Sequence, residues 1–309
     1  MYPAFSIIVF TVLSGAGFGA MAAATLLVSY LGVLGFDITM ILGFVLAGIG
    51  LGGSVLHLQS PWRARYSLSQ WRTSWLSREG VFALATMVLA FIVIVGHLLQ
   101  PIQAHEGFGA WRISGIAVAL LCFATVRATG MIYQSLKAVP AWSTQPTSLM
   151  FLIFAATSGG LIALAAAGPS SNMAYGVALF FLFVAWYFKA VIWSRVDRLE
   201  PTATVGSATG LGDHDDVRLF ERPHVTENWL TSEMGFRVAR RHAMKLRILA
   251  VAVGGVLPGA IIGGVLAGLP HAAVWLAALL TIAGLMVERW LFFAEAKHAM
   301  TLYYGEQSV

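Results

Sequence analysis

Cysteine and charged residues are scarce in this chain of 309 residues. The one cysteine, Cys122, lies in an apolar stretch, so the chain can form neither an internal disulfide nor a Cys cluster for zinc or iron–sulfur binding. Only 11% of the residues are charged, whereas 58% are hydrophobic and the mean hydropathy is +0.79. A soluble domain needs far more polar surface. The composition therefore predicts an integral membrane protein, and any metal cluster that it serves would belong to a partner.

Motifs of several soluble functions are also missing. The sequence contains no G-x-x-x-x-G-K-[ST] phosphate loop and no convincing internal repeat. The formal net charge is +5, but the basic residues lie beside apolar segments rather than in a soluble basic module. They therefore indicate membrane topology, and no nucleic-acid partner is expected.

Long apolar runs dominate the chain. A spanning helix needs roughly 20 apolar residues, and eight stretches meet that requirement. Their predicted bounds are 5–33, 38–57, 79–99, 111–136, 147–168, 172–194, 246–268 and 271–299. The first run is longer than a signal-peptide core and has no basic segment before it, so it is expected to remain as helix 1. We expect an all-α integral membrane protein, in which residues 1–309 form a single transmembrane domain, a bundle of eight transmembrane helices.

The basic residues predict the orientation of this bundle. Eight crossings place both termini on one side, and the positive-inside rule assigns that side to the cytoplasm. The loops on it carry Arg63, Arg65, Arg72 and Arg78, then Lys137, and then Arg195, Arg198, Arg237, Arg240, Arg241, Lys245 and Arg247. We therefore expect a multi-pass protein of the bacterial inner (cytoplasmic) membrane, with both termini and the loop that begins at His57 in the cytoplasm.

One sizeable polar segment lies at about 195–245. Its first part is rich in small residues, and its second part mixes both charges with Phe220 and Trp229. Two interpretations stay open. The segment is either a solvated loop or a cytoplasmic docking loop for a soluble subunit, because aromatics interleaved with charges resemble interface composition.

An ionisable cluster follows helix 2. It begins with His57, continues through Arg63, Arg72 and Arg78, and ends at Glu79. Ionisable groups at a bilayer edge cost free energy unless they have partners or a task, so the cluster predicts a functional surface. An imidazole there can hydrogen-bond to a lipid-soluble hydroxyl group and accept its proton.

This chemistry suits a quinone site. Oxidation of a quinol releases protons and electrons, so the site needs a proton acceptor, an exit to water and an external electron carrier. We expect His57 to bind a quinone oxygen, Glu79 to relay a proton, and Arg63 to hold developing negative charge. The aromatic side chains that can pack against the ring, or alternatively anchor the protein at the interface, are Trp62, Tyr66, Trp71 and Trp75.

Haem is the main alternative for the histidines. A transmembrane di-haem protein needs paired histidines at matching depths, and the possible pairs are His57 with His298 and His97 with His271. Haem is therefore disfavoured rather than excluded.

Charged residues also occur inside the predicted helices. Arg127, Glu288 and Arg289 can pair with one another, line a polar cavity or flank the headgroups. Lys189 and Glu295 are expected to extend along the helix to the interface. A secondary transporter would also contain buried charges, but its substrate site would lie near the bilayer midplane, whereas the strongest cluster here lies at the edge.

Several motifs occur together with the eight predicted helices. They are Ser54-Val55-Leu56-His57-Leu58-Gln59-Ser60-Pro61-Trp62-Arg63, Leu76-Ser77-Arg78-Glu79, Tyr133, Val139-Pro140-Ala141-Trp142 and Glu288-Arg289. In this combination the chain resembles the membrane anchor subunits of dimethyl-sulfoxide-reductase-type molybdoenzymes, the DmsC family. The family's quinol-site histidine matches His57, and its acidic residue at the start of helix 3 matches Glu79. The family usually has glycine where this chain has Gln59, which can supply a further hydrogen bond. The expected quinone-binding residues are His57, Gln59, Arg63, Trp71, Trp75 and Tyr133.

The resemblance implies a haem-free anchor that binds ubiquinone or menaquinone. It implies two partners besides membrane lipid: a four-cluster iron–sulfur subunit and a molybdopterin catalytic subunit, which together hold the metal centres. The cytoplasmic orientation favours the anchors of sulfite-oxidising relatives, in which electrons flow from sulfite to quinone. The alternative is a quinol-oxidising anchor of a dimethyl sulfoxide reductase. In either case the chain completes an oxidoreductase rather than catalysing the substrate reaction itself.

Overall fold

The computed structural model describes residues 3–56, 61–99, 110–212, 217–218, 220–221, 238–304 and 306–307. Within these ranges, eight helices are long and apolar enough to cross a membrane, which confirms the predicted all-α bundle. Helices α1 to α6 are Phe5–Leu26, Val28–Leu56, Trp75–Leu99, Ala110–Gln134, Thr147–Ala166 and Asn172–Val196. Helix α7 joins Val238–Val251 to Leu257–Leu266 through the π-helical turn Ala252–Val256, and α8 is Ala273–Ala294.

Short helical turns connect the long helices on one side of the bundle. They lie at Pro61–Arg63, Ala64–Ser67 and Leu68–Gln70 before α3, and at Pro140–Ser143 before α5. Because successive spanning helices alternate in direction, the start of α1 and the end of α8 lie on this same side. We call it the terminal face, and the other side the opposite face.

The predicted boundary between the first two helices is wrong. Helices predicted at 5–33 and 38–57 are observed with α1 ending at Leu26 and α2 beginning at Val28. The apolar run continues through this turn, so hydropathy alone does not locate it. A kink follows at Gly32, whose φ of 66° lies in the left-handed region where a side chain is strained.

Helices α1 and α5 form the centre of the bundle. Helix α1 packs against α2, α4, α5 and α8, and α5 also contacts α2, α4, α6 and α8. Glycines allow the two central helices to touch: a Cβ atom at Gly19 would overlap the carbonyl oxygen of Ala155, and one at Gly159 would overlap the backbone of Gly19. Small residues permit such close approach in a membrane, where van der Waals packing drives association.

Two groups of helices flank this centre. On one side α3 packs against α4 and α2, and on the other side α6, α7 and α8 pack together. Trp186 of α6 lies against the π-helical turn of α7 and donates its indole hydrogen to the carbonyl oxygen of Gly254 at 2.9 Å. The turn therefore exposes a backbone acceptor that a regular α-helix would use internally.

Arg247 joins the second group of helices at the terminal face. Its guanidinium donates hydrogen bonds to Asp197 at 2.6 and 2.9 Å and to Glu295 at 3.0 Å. The planar guanidinium suits such paired recognition of carboxylates. Glu295 thus has a specific partner on α7, and the terminal-face ends of α6, α7 and α8 are held together.

Candidate functional site

Glu79 is a buried carboxyl group between α3 and α4. It lies one turn inside α3, which begins at Trp75, and its exposed fraction is 5%. The buried positions of α3 recur at helical spacing, so Glu79 points into the bundle together with Ala83 and Thr86. Thr129 of α4 donates its hydroxyl hydrogen to Glu79 Oε1. A buried carboxyl group beside a neutral hydroxyl is suited to gaining and losing a proton.

The connection between α2 and α3 is held over the start of α3 by hydrogen bonds. Arg78 donates from Nε to the carbonyl oxygen of Trp71 at 3.0 Å and from Nη2 to that of Arg72 at 2.6 Å. Ser77 donates to the carbonyl oxygen of Ser67. The connection therefore covers the helix end beside the buried carboxyl group.

The aromatic and cationic side chains of this region lie at the surface. Trp71 is 52% exposed, and Arg63 is also exposed. The guanidinium of Arg78 lies 4.3 Å from the ring centroid of Trp75, and that of Arg127 on α4 lies 6.0 Å from it. Both distances fall within the range of cation–π attraction. Arg127, predicted inside a helix, thus lies over an interfacial aromatic ring.

Tyr133 follows Thr129 by one turn on α4. Its phenol group interacts electrostatically with both Glu79 and Arg289 of α8. Its ring stacks on Phe151 with the centroids 5.7 Å apart. It makes further ring contacts with Trp142, Phe292 and Phe293. Tyr133 is therefore fixed in an aromatic cluster, within electrostatic range of ionisable groups on two other helices.

A second set of ionisable groups lies between α6 and α8. Lys189 Nζ is 2.5 Å from Glu288 Oε1, and Arg289 Nη2 is 3.2 Å from Glu288 Oε2. We call these three residues the triad. Their exposed fractions are 5%, 1% and 4% for Lys189, Glu288 and Arg289. The prediction that Lys189 extends to the interface is wrong, because its ammonium group pairs inside the bundle.

The triad and Glu79 lie at a similar depth below the terminal face. Glu79 is one turn from the start of α3, and Tyr133 is in the last turn of α4. Glu288 and Lys189 are about two turns, roughly 11 Å, from the ends of α8 and α6. These residues with Arg289 form a polar layer that runs parallel to the membrane plane, near one edge of the bilayer.

The structure brings together some of the residues predicted for the quinone site. Glu79 and Trp75 lie one turn apart on α3, and Tyr133 is on the adjoining helix. Trp71 and Arg63 lie on the connection before α3, with exposed side chains.

The two remaining predicted ligands, His57 and Gln59, lie outside the described residues. Helix α2, which precedes them, ends at Leu56 on the terminal face. The α2–α3 connection is described from residue 61. The described residues on either side of His57 and Gln59 therefore lie on the terminal face, the face nearest to Glu79.

Thr129 and Lys189 are functional candidates that sequence reasoning missed. A threonine in an apolar helix gives no distinct signal, because its hydroxyl commonly bonds to its own backbone, as Thr129 also does to Thr125. The Glu288-Arg289 pair inside an apolar run signals buried charge, but the sequence does not show that Lys189 on another helix meets it.

Two histidines of the opposite face, His97 and His271, have structural partners. His97 Nδ1 lies 2.7 Å from Asp37 Oδ1. Both ring nitrogens of His271 make hydrogen bonds, to the hydroxyl of Tyr175 at 2.7 Å and the carbonyl oxygen of Ala165 at 3.1 Å. His271 therefore connects the end of α5 to the start of α6. Among the described residues, no group of three or more His, Cys, Asp or Glu side chains is placed to hold a metal ion.

This architecture, with eight spanning helices among the described residues and a polar layer near one face, defines a multi-pass membrane protein. The family model of the DMSO reductase anchor subunit (DmsC) matches residues 1–305, and the chain belongs to that family. The chain is also 30% identical to a subunit of the sulfite dehydrogenase of Allochromatium vinosum over 323 aligned residues, covering 98% of this chain and 99% of the relative. These findings confirm the resemblance carried by the sequence motifs.

Proposed function

We propose that this protein is the quinone-reactive membrane anchor of a molybdopterin oxidoreductase with three kinds of subunit. Membership of the DMSO reductase anchor family over nearly the whole chain supports the anchor role. The observation that carries the quinone role is Glu79, a buried carboxyl group near the terminal face, on the helix that follows the His57 connection.

The residues around Glu79 fit a quinone headgroup. A quinone supplies two-electron chemistry that takes up two protons, so its site needs groups that bind oxygen and move protons. In our proposal His57 binds one quinone oxygen and Gln59 adds a hydrogen bond. Glu79 relays a proton, and Thr129 holds the carboxyl group in place through its hydroxyl hydrogen bond.

The other residues of the proposed site act on charge and packing. Arg63 holds negative charge that develops on the bound group. Trp71 and Trp75 pack beside the ring, and Tyr133 contributes a phenol group within electrostatic range of Glu79.

The terminal face is the proposed docking surface for a four-cluster iron–sulfur subunit that carries electrons to and from a molybdopterin catalytic subunit. Exposed Arg63, Arg65 and Arg72 give this face a positive charge, which suits an acidic partner surface. The polar segment at about 195–245 begins and ends on the same face and adds to the docking surface. In this proposal the terminal face lies on the cytoplasmic side of the bacterial inner membrane, and the excess of basic residues on this face supports that orientation.

We favour sulfite as the substrate of the catalytic partner, with electrons flowing toward quinone. The name of the sulfite dehydrogenase relative and the orientation of the arginines favour this direction. The family description favours the alternative, a quinol-oxidising anchor of a dimethyl sulfoxide reductase.

Membranes that contain the intact complex test the proposed function. Sulfite should reduce added ubiquinone or menaquinone analogues, and deletion of the anchor should abolish this reaction while sulfite still reduces an artificial dye. Quinol-dependent reduction of dimethyl sulfoxide, without sulfite-dependent quinone reduction, would establish the alternative. Purification of the anchor without any molybdenum or iron–sulfur protein would contradict both assignments.

A further inference from the structure

The triad of Lys189, Glu288 and Arg289 has no role in the proposed quinone site. We propose that it is an internal proton-exchange site, which holds one transferable proton between Lys189 and Glu288 and exchanges it through water with the terminal face. This inference rests on the proposed function, because protons consumed or released in quinone chemistry give the site its purpose.

The charges of the triad give the first reason. A guanidinium stays protonated in proteins, so Arg289 and Glu288 already form a neutral pair. Lys189 adds a further positive charge to a site that is almost completely buried in the membrane span, and unbalanced charge there is costly. A structural ion pair needs only one cation. Buried lysine, unlike arginine, is able to release its proton, and this release leaves the triad neutral.

A cavity beside the triad gives the second reason. Its volume is about 40 Å³, enough for a few ordered water molecules. All three triad residues line it, together with mostly apolar side chains that include Ala141 and Phe151. Arg289 Nε is buried and has no hydrogen-bond partner among the described residues. Water in the cavity can accept from this nitrogen and from Lys189 and donate to Glu288, which supplies the partners that a buried water needs.

The cavity also reaches toward the surface. Glu295, which directly follows the last residue of α8 and lies about two turns beyond Glu288, lines the same cavity. Its carboxylate accepts hydrogen bonds from Arg247, which also binds Asp197, whose side chain is half exposed. Carboxylates therefore lie between the cavity and the water at the terminal face. Glu295 also interacts electrostatically with Lys189.

Tyr133 lies near both the triad and Glu79. Its phenol group is within electrostatic range of Arg289 and of Glu79. The proposed step moves a proton only. When the site releases its proton, an N–H bond of Lys189 breaks and an O–H bond forms on a cavity water, and uptake is the reverse. No electron moves in this step, because electron transfer takes place between the quinone and the partner's iron–sulfur centres.

Lys189→Arg is the decisive variant in the intact complex. Arginine keeps the positive charge beside Glu288 but cannot release its proton. If Lys189 had only a structural role, Lys189→Arg should therefore impair the complex less than Lys189→Met, which removes the charge. Our proposal predicts that Lys189→Arg and Lys189→Met both lower quinone-coupled turnover, by roughly tenfold to a hundredfold, and flatten its pH profile. Dye-linked turnover should stay normal. Lys137→Met, which removes an exposed lysine on the same face, is the matched control and should behave as the wild type.

A normal rate and pH profile for assembled Lys189→Arg would overturn the proposal. If both Lys189 variants fail to assemble, Ala141→Leu still tests it, because this change fills the cavity and leaves every charge in place. It should slow quinone-coupled turnover and enlarge its solvent deuterium isotope effect, and unchanged values would refute the water route. A wild-type complex without quinone coupling would instead refute the proposed function.

Discussion

Glu79 has a hydroxyl partner, Thr129, where a buried carboxylate usually has a cation. This difference determines what its substitution does. Removing one member of a buried ion pair leaves an uncompensated charge and destabilises the fold. Replacing Glu79 by its amide leaves a neutral group of the same shape, which still accepts from Thr129, so the helix contact should survive while proton transfer is lost.

Glu79→Gln is therefore predicted to separate function from assembly. Quinone-coupled turnover of the complex should fall by about 10²-fold, because an amide cannot take up and release the proton. Dye-linked activity and the yield of purified complex should be unchanged. Glu200→Gln alters an exposed carboxyl group near the end of α6 and serves as the control. Normal quinone coupling in Glu79→Gln would remove this residue from the mechanism.

At the residue scale, the sequence predicts where charge is unusual but not what it meets. Glu79 can be found because a carboxyl group at the start of an apolar run is rare. The sequence predicts that Lys189 extends to the interface, because its distance from the helix end is compatible with an extended side chain as well as with a buried one. The partner that reverses this assignment, Glu288, lies 99 positions away in the sequence on another helix.

The crossing of α1 and α5 gives a prediction at the scale of helices. A Cβ atom at Gly159 would overlap the backbone of Gly19, whereas one at the adjacent Gly160 would meet no atom within 4 Å. Gly159→Ala should therefore force the central helices apart and destabilise the protein by about 1–3 kcal/mol. Thermal unfolding of the purified complex in detergent measures the effect.

Gly160→Ala is the matched control for this crossing. It carries the same change of side chain on the same helix, one position away, and should leave the unfolding temperature unchanged or slightly raised. Equal destabilisation by both substitutions would show that the contact with α1 does not set the cost, since alanine has the higher helix propensity at both positions.

The number of spanning helices is predictable from this sequence, whereas some helix boundaries are not. Eight apolar runs are sufficient to count the helices, because a bilayer leaves few alternatives to a helix for an apolar segment of this length. The turn between α1 and α2 escapes prediction, since Leu26, Leu27 and Val28 are all apolar and no proline or polar residue separates the two helices. Hydropathy identifies segments that are apolar enough to lie in the bilayer. It does not locate a turn that is itself made of apolar residues.

Sidedness is a property of the whole molecule, and its single cysteine makes it measurable. Cys122 is buried, so introduced cysteines report their own accessibility. Leu211→Cys, on the terminal face, should resist a membrane-impermeant maleimide in intact cells and react after the membrane is opened. Asn172→Cys, on the opposite face, should react without opening. The reverse pattern would place the terminal face outside the cytoplasm.

The position of the polar layer near one edge of the bilayer affects how turnover responds to the membrane potential. If electrons enter from a partner docked at the terminal face, and protons leave or enter at that face, turnover carries no net charge across the bilayer. A transmembrane voltage would then neither drive nor oppose the reaction, since voltage acts only on charge that crosses the membrane. Proteoliposomes with an ionophore-imposed potential should show the same quinone-coupled rate at either polarity, and a voltage-sensitive dye should register no potential during turnover. A dye response would reveal a charge pathway between the layer and the opposite face. Without one, this anchor would be an electrically silent entry point to the quinone pool, able to work at full rate in a fully energised membrane.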